Sequence, residues 1–114
     1  MSSKVACIFD CNNFTKVREL LDLTLAISAF NDVNVFIFSG ALDLLLSDAK
    51  PYKAGERDFI KTFAIFELYD IVNVFISEED LNKRNTDKLQ FQFKVISNSE
   101  LFTKISNCDH KLSL

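Results

Sequence analysis

A three-layer α/β/α sandwich with a mainly parallel five-stranded sheet is the fold this sequence predicts, and three observations predict it. Short runs rich in β-branched and aromatic residues alternate with longer segments of helical spacing. The runs show little polar alternation, as strands covered on both faces do. No linker or repeat interrupts the alternation over 114 residues, so a single domain, 1–114, is expected.

KVACIF (4–9) reads as the first strand. TKVRELLDLTLAISAFN (15–31) reads as a helix, with Thr15 as its cap and Glu19 in its first turn, where the dipole favours an anion. Val17, Leu20, Leu21, Leu25 and Ala29 form a stripe that Leu23, Ile27 and Phe30 widen. Such a helix needs cover on two sides, from the sheet and from a partner subunit. VNVFIF (33–38) is the second strand, Ser39-Gly40 a turn, and ALDLLL (41–46) a short helix. Residues 47–55 form the one obvious loop.

ERDFIKTFAIFELYD (56–70) reads as a helix with Phe59, Ile60, Phe63 and Phe66 at helical spacing. IVNVFI (71–76) is the third strand. In SEEDLNKR (77–84), Ser77 and Asp80 resemble a capping box, with Glu78 and Glu79 in the first turn and Lys83 and Arg84 in the last. FKVI (93–96) is the fourth strand, SNSELFTKISN (97–107) the last helix and HKLSL (110–114) the terminal strand.

Composition narrows the function. With 48% hydrophobic and 25% charged residues the chain can bury a core, which excludes a disordered segment. A net charge of −3 argues against gripping a phosphate backbone, and Lys83, Arg84 and Lys88 read as a solvated helix end. The first apolar run is too short for a signal peptide, and no stretch approaches the ~18 apolar residues of a membrane span. Three cysteines without metal-ligand spacing fit reduced thiols in the cytoplasm. Twelve phenylalanines, more than so small a core hides, point to exposed interface surface in an obligate oligomer, although compositional drift alone is the plainer reading. Phe59, Phe63, Phe66 and Tyr69 are the interface candidates.

Cofactor and metal chemistry find no footing. There is no GxGxxG, no Walker A and no Ser/Thr/Gly-rich phosphate loop after the first strand, where DCNNFT stands. Ser77 occupies the place where a phospho-acceptor receiver domain needs an aspartate. Cys11, at a strand's carboxyl end, reads either as a thiol activated by the following helix or as a spectator opposed by Asp10. Cys7 reads as core. Cys108 and His110 have the spacing to share a face of the terminal strand, as a thiol–imidazole pair or by chance. The carboxylates at 78–80 read as a helix first turn, not an acid/base pair.

The ordered pieces resemble the TusC/DsrF family over nearly the whole chain. Its Arg-Glu-Gly-Leu-Asp pattern is matched by Arg18, Glu19, Leu20, Leu21 and Asp22, with the glycine replaced. Its Asp-Gly after strand two is matched by Ser39-Gly40, and its Arg-Asp-(Tyr/Phe) by Arg57-Asp58-Phe59. Leu68-Tyr69-Asp70-Ile71 matches the family's Leu-Tyr-Asp-Ile, and Asn107-Cys108-Asp109 its Asn-Tyr-Asp. The loop after strand one is shorter than the family's and lacks its Pro-His-Gly character.

The resemblance implies a DsrE-like fold and a cytoplasmic heterohexamer with TusB-like and TusD-like subunits. Such an assembly takes persulfide sulfur from a TusA-like carrier and passes it through a TusE-like carrier towards 2-thiolation of tRNA wobble uridine. In the DsrEFH branch it serves sulfur oxidation. The family's relay cysteine belongs to the TusD/DsrE-type subunit, just after the third strand, where this chain has Phe75-Ile76-Ser77. A non-catalytic subunit is therefore the leading expectation. A sulfurtransferase carrying persulfide on Cys11 is its rival, and a small ligand-binding module in a homo-oligomer is a third reading.

Overall fold

A computed structural model of the chain describes residues 3–46, 63, 65–84 and 92–114. Five parallel strands form one sheet in the order β4-β3-β2-β1-β5: β1 Lys4–Phe9, β2 Asp32–Ile37, β3 Asn73–Ser77, β4 Lys94–Ile96 and β5 His110–Ser113. The helices are α1 Phe14–Ile27, α2 Ser39–Leu46, α3 Glu78–Asn82 and α4 Asn98–Ser106, with a 3-10 turn at Ile65–Tyr69.

This strand order explains how the layers fill. From β1 to β4 the chain steps one strand at a time in one direction, and right-handed crossovers put the intervening helices on one face. The step from β4 to β5 runs back past β1, and the same handedness puts α4 on the other face. The larger core therefore joins Val5, Cys7 and Phe9 of β1 and Val33, Val35 and Ile37 of β2 to α1, α2, Phe63 and Phe66. The smaller core is Ala6, Phe36 and Phe75 under Leu101, Ile105 and Cys108. Alternate residues of each strand thus serve opposite cores, which is why the strands read as unbroken apolar runs.

Several boundaries differ from the sequence expectation for identifiable reasons. Asn13, not Thr15, caps α1: its side chain accepts from the Lys16 N–H at 3.1 Å. Glu19 consequently lies beyond the first turn. α1 ends at Ile27, where Ser28 Oγ donates to the Leu25 carbonyl and Asn31 Nδ2 to the Ile27 carbonyl, side chains competing with the helical ladder. β2 starts at Asp32 and stops at Ile37, and Ser39-Gly40 opens α2 rather than forming a separate turn.

β3 starts at Asn73 rather than Ile71 because the chain is still turning there. Asp70 is left-handed (φ 60°), and the Ile71 N–H reaches back to the Phe66 carbonyl at 2.9 Å. β4 and β5 are each one residue shorter than expected, and Ser97 and Asn107 cap α4 instead of belonging to it. Most of the helix expected over 56–70, the loop 47–55 and Lys88 lie outside the described residues; 65–69 is 3-10.

Candidate functional site at the carboxyl ends of the strands

Ligand sites in open parallel sheets form outside the carboxyl ends, where strand order reverses. Here the reversal falls at β1, with β2 on one side and β5 on the other. Cys11 lies at this point, half-buried in a crevice lined by Phe9, Asp10, Lys16, Val17 and Leu114. The crevice has room for about one water molecule, so it suits no cofactor.

The loop carrying Cys11 is held by a glycine in the next connection. A Cβ on Gly40, at the start of α2, would run into the Asp10 carbonyl oxygen. The two loops can approach only because residue 40 has no side chain. Sequence reasoning matched Gly40 to a family pattern; the partner backbone, thirty residues earlier, is visible only in three dimensions.

At the end of β3 the chemistry is spent on structure. Ser77 is fully buried, and its hydroxyl accepts from the Asp80 N–H at 3.0 Å, capping α3 as the sequence suggests. Glu78, Glu79 and Asp80 fill the first turn. Glu79 Oε2 accepts from the Asn98 N–H at 2.9 Å, so this carboxylate caps the neighbouring α4.

Lys83 and Arg84 do not occupy a last helical turn, because α3 stops at Asn82 with Lys83 as its C-cap. Nor is Arg84 a solvated end. Its Nε donates to Asp43 Oδ1 at 2.6 Å, its Nη2 to Asp43 Oδ2 at 3.2 Å and its Nη1 to the Asp80 carbonyl at 2.7 Å, tying α3 to α2. The hydrogen bonds from Arg84 hold the Asp43 carboxyl below the usual carboxylate range.

The other thiols are shut away. Cys7 is fully buried, and burial pushes its thiol up despite a hydrogen bond to Thr24. Cys108 is buried under the smaller core, donates to the Lys104 carbonyl at 3.4 Å and is likewise pushed up by burial. The expected Cys108–His110 face does not form. β5 begins at His110, so Cys108 precedes the strand, and His110 pairs with Val5 of the opposite core. Strand alternation cannot place two residues together when one lies outside the strand.

The interface candidates divide. Phe63 and Phe66 are buried, 5.1 Å apart between centroids, with Phe9 5.2 Å from Phe63. They are core of this chain, which corrects the expectation that they face a partner. Tyr69 is 47% exposed, and Phe59 lies outside the described residues. Other aromatics carry the expected surplus: Phe30 is 81%, Phe102 57% and Phe14 43% exposed.

Among the described residues no group of three or more His, Cys, Asp or Glu gathers as a metal site. No helix among them is long and apolar enough to cross a membrane.

The fold and site define a small parallel α/β sandwich whose carboxyl ends offer capped helices and one half-buried thiol. The DsrE/DsrF-like family matches residues 4–114, and the chain belongs to it. It is also 34% identical over 98 residues, 83% of each chain, to the "Protein TusC homolog" of Aliivibrio fischeri (strain ATCC 700601 / ES114).

Proposed function

We propose that the chain is a non-catalytic subunit of a TusBCD-like sulfur-relay complex, working in the cytoplasm towards 2-thiolation of tRNA wobble uridine. Its partners are TusB-like and TusD-like subunits in a heterohexamer, with TusA-like and TusE-like carriers reached through the complex. One observation carries the reading: at the end of β3, where the resemblance puts the relay thiol of an active subunit, stands Ser77, buried and engaged as the cap of α3. A buried hydroxyl in that role neither accepts sulfur nor reaches a carrier. Exposed Phe30, Phe102 and Tyr69 supply surface for sister subunits.

Native mass spectrometry of the tagged chain from its own cytosol, with persulfide preserved, tests this. A mass of two copies each of three small subunits, with extra sulfur on a sister chain, is the expected result. Sulfur on this chain would overturn the non-catalytic role.

The rival reading, persulfide on Cys11, is favoured by that residue's place in the crevice beside Lys16. It requires Cys11 to react with iodoacetamide at pH 6 faster than free cysteine. An ordinary rate would dismiss it.

A further inference from the structure

The two faces of the sheet are unequally covered. Among the described residues α1, α2 and α3 serve one face and only α4 serves the other. α4 seats Leu101 and Ile105 on Ala6, Phe36 and Phe75, and beside it the described residues cover the face only in part. Ile8, Phe38 and Ile96 there are only half-buried. Phe102 leans from α4 onto Phe38, ring centroids 5.9 Å apart, yet remains 57% exposed.

The same face carries positive charge in a chain whose net charge is −3. Lys94 Nζ and Lys104 Nζ lie 5.7 and 5.0 Å from the centroid of the Phe75 ring. Lys94 also donates to Asn73 Oδ1 at 3.1 Å, and Lys111 Nζ donates to the Cys108 carbonyl at 3.4 Å. Among the described residues, a ring, an amide and a carbonyl position these ammonium groups without neutralising them. Among the described residues, carboxylates near these groups include Asp32, Asp70 and Asp109 at the amino ends of the strands and Glu100 in the first turn of α4; Asp109 Oδ2 already accepts from the Lys4 N–H at 2.9 Å.

We propose that this face, with Phe38 and Phe102 flanked by Lys94, Lys104 and Lys111, docks a sister subunit that presents an apolar patch rimmed by carboxylates. The proposal rests on the assembly described above. Charge complementarity selects a different chain as the occupant, because an isologous pairing of two copies would set like ammonium groups against one another.

Two variants test it: Phe102→Glu, and Lys94→Glu combined with Lys104→Glu. All three positions are exposed, so the isolated chain keeps its fold, checked by circular dichroism and thermal unfolding. Each variant is co-expressed with the two sister subunits and sized by native mass spectrometry at low and high salt. Phe102→Glu is expected to weaken incorporation roughly thirtyfold and the charge reversal roughly tenfold. Added salt should weaken the wild-type complex and leave the charge-reversed one unaffected or stronger. If both variants enter the complex as the wild type does, the docking surface is wrong and the assembly reading stands. If the wild-type chain joins no sister subunit, the assembly reading fails and takes this surface with it. A wild-type homo-oligomer that these variants abolish would place a second copy on the face and overturn the choice of partner.

Discussion

The Glu79 carboxylate accepts the backbone N–H of Asn98 at 2.9 Å, and so joins the helix after β3 to the helix after β4. The contact links residues nineteen positions apart. It also places a fixed negative charge at the amino end of α4, where the dipole is favourable.

Replacing Glu79 with alanine should leave the first N–H of α4 to water. The expected cost is small, about 0.5–1 kcal/mol, because both groups are exposed. Hydrogen exchange at Asn98 is the direct reading: it should quicken in Glu79→Ala and stay near wild type in Glu79→Gln. Unchanged exchange in the alanine variant would show that the contact protects nothing.

The Arg84–Asp43 pair predicts a pH signature. Arg84 depresses the Asp43 pKa in the folded chain, so the pair's contribution is present above the unfolded carboxylate value. It is lost as pH falls through the lower, folded value. Asp43 is 53% exposed, so solvent screens the pair and the contribution is at most ~1 kcal/mol. Urea unfolding of wild type and Asp43→Asn should therefore differ at pH 7 and converge as pH falls below the ordinary carboxylate range, and at high salt. A difference that survives acid would mean that something other than this carboxylate causes it.

Thiol accessibility predicts a labelling pattern. Cys7 and Cys108 are buried with raised thiol pKa values, while Cys11 is half-buried. Iodoacetamide on the folded chain at pH 8 should add a single group, at Cys11, and denaturation should expose all three cysteines. A Ser77→Cys variant should still label once when folded, because position 77 is fully buried. Rapid double labelling of that variant would show that the end of β3 opens to solvent.

Gly40→Ala should displace the loop bearing Cys11. The added methyl meets the Asp10 carbonyl, part of the backbone rather than the end of a flexible side chain. A loss of about 1–3 kcal/mol is expected, with amide shifts concentrated at Asp10–Asn12. Wild-type stability and an unmoved loop would mean that α2 shifts away at no cost.

Asn34 offers the opposite sign. It is 8% exposed on the α4 side of β2, and among the described residues its Nδ2 has no hydrogen-bond partner. Asn34→Val removes a buried donor and suits a strand, so urea unfolding should show unchanged or higher stability, by up to ~1 kcal/mol. A marked loss would reveal that the amide is bonded after all.

These residues show what was legible beforehand. The Ser77 cap could be read because a cap is a contact across three positions, within the range of local spacing. The cap of α1 was misplaced because Asn13 and Thr15 are both capping residues two positions apart, and only backbone geometry chooses between them. From sequence Arg84 reads as a solvated end, because its partner, Asp43, lies forty-one positions away. Phe63 and Phe66 read as interface candidates that could equally be core, because spacing reveals an apolar stripe without revealing what covers it.

By itself the sequence determined the succession of strands and helices, the parallel sheet and the missing thiol after β3. The alternation and the parallel sheet follow from local periodicity; that a thiol would stand after β3 follows from the family resemblance. Tertiary structure alone decided that β5 lies beside β1 rather than β4. That choice put α4 by itself on one face, buried Cys108 away from His110, and left Phe102 with Lys94 and Lys104 facing outward. The reason is physical: strand order and face coverage arise from contacts between distant segments, which compete across the whole chain and leave no periodic trace in any one of them.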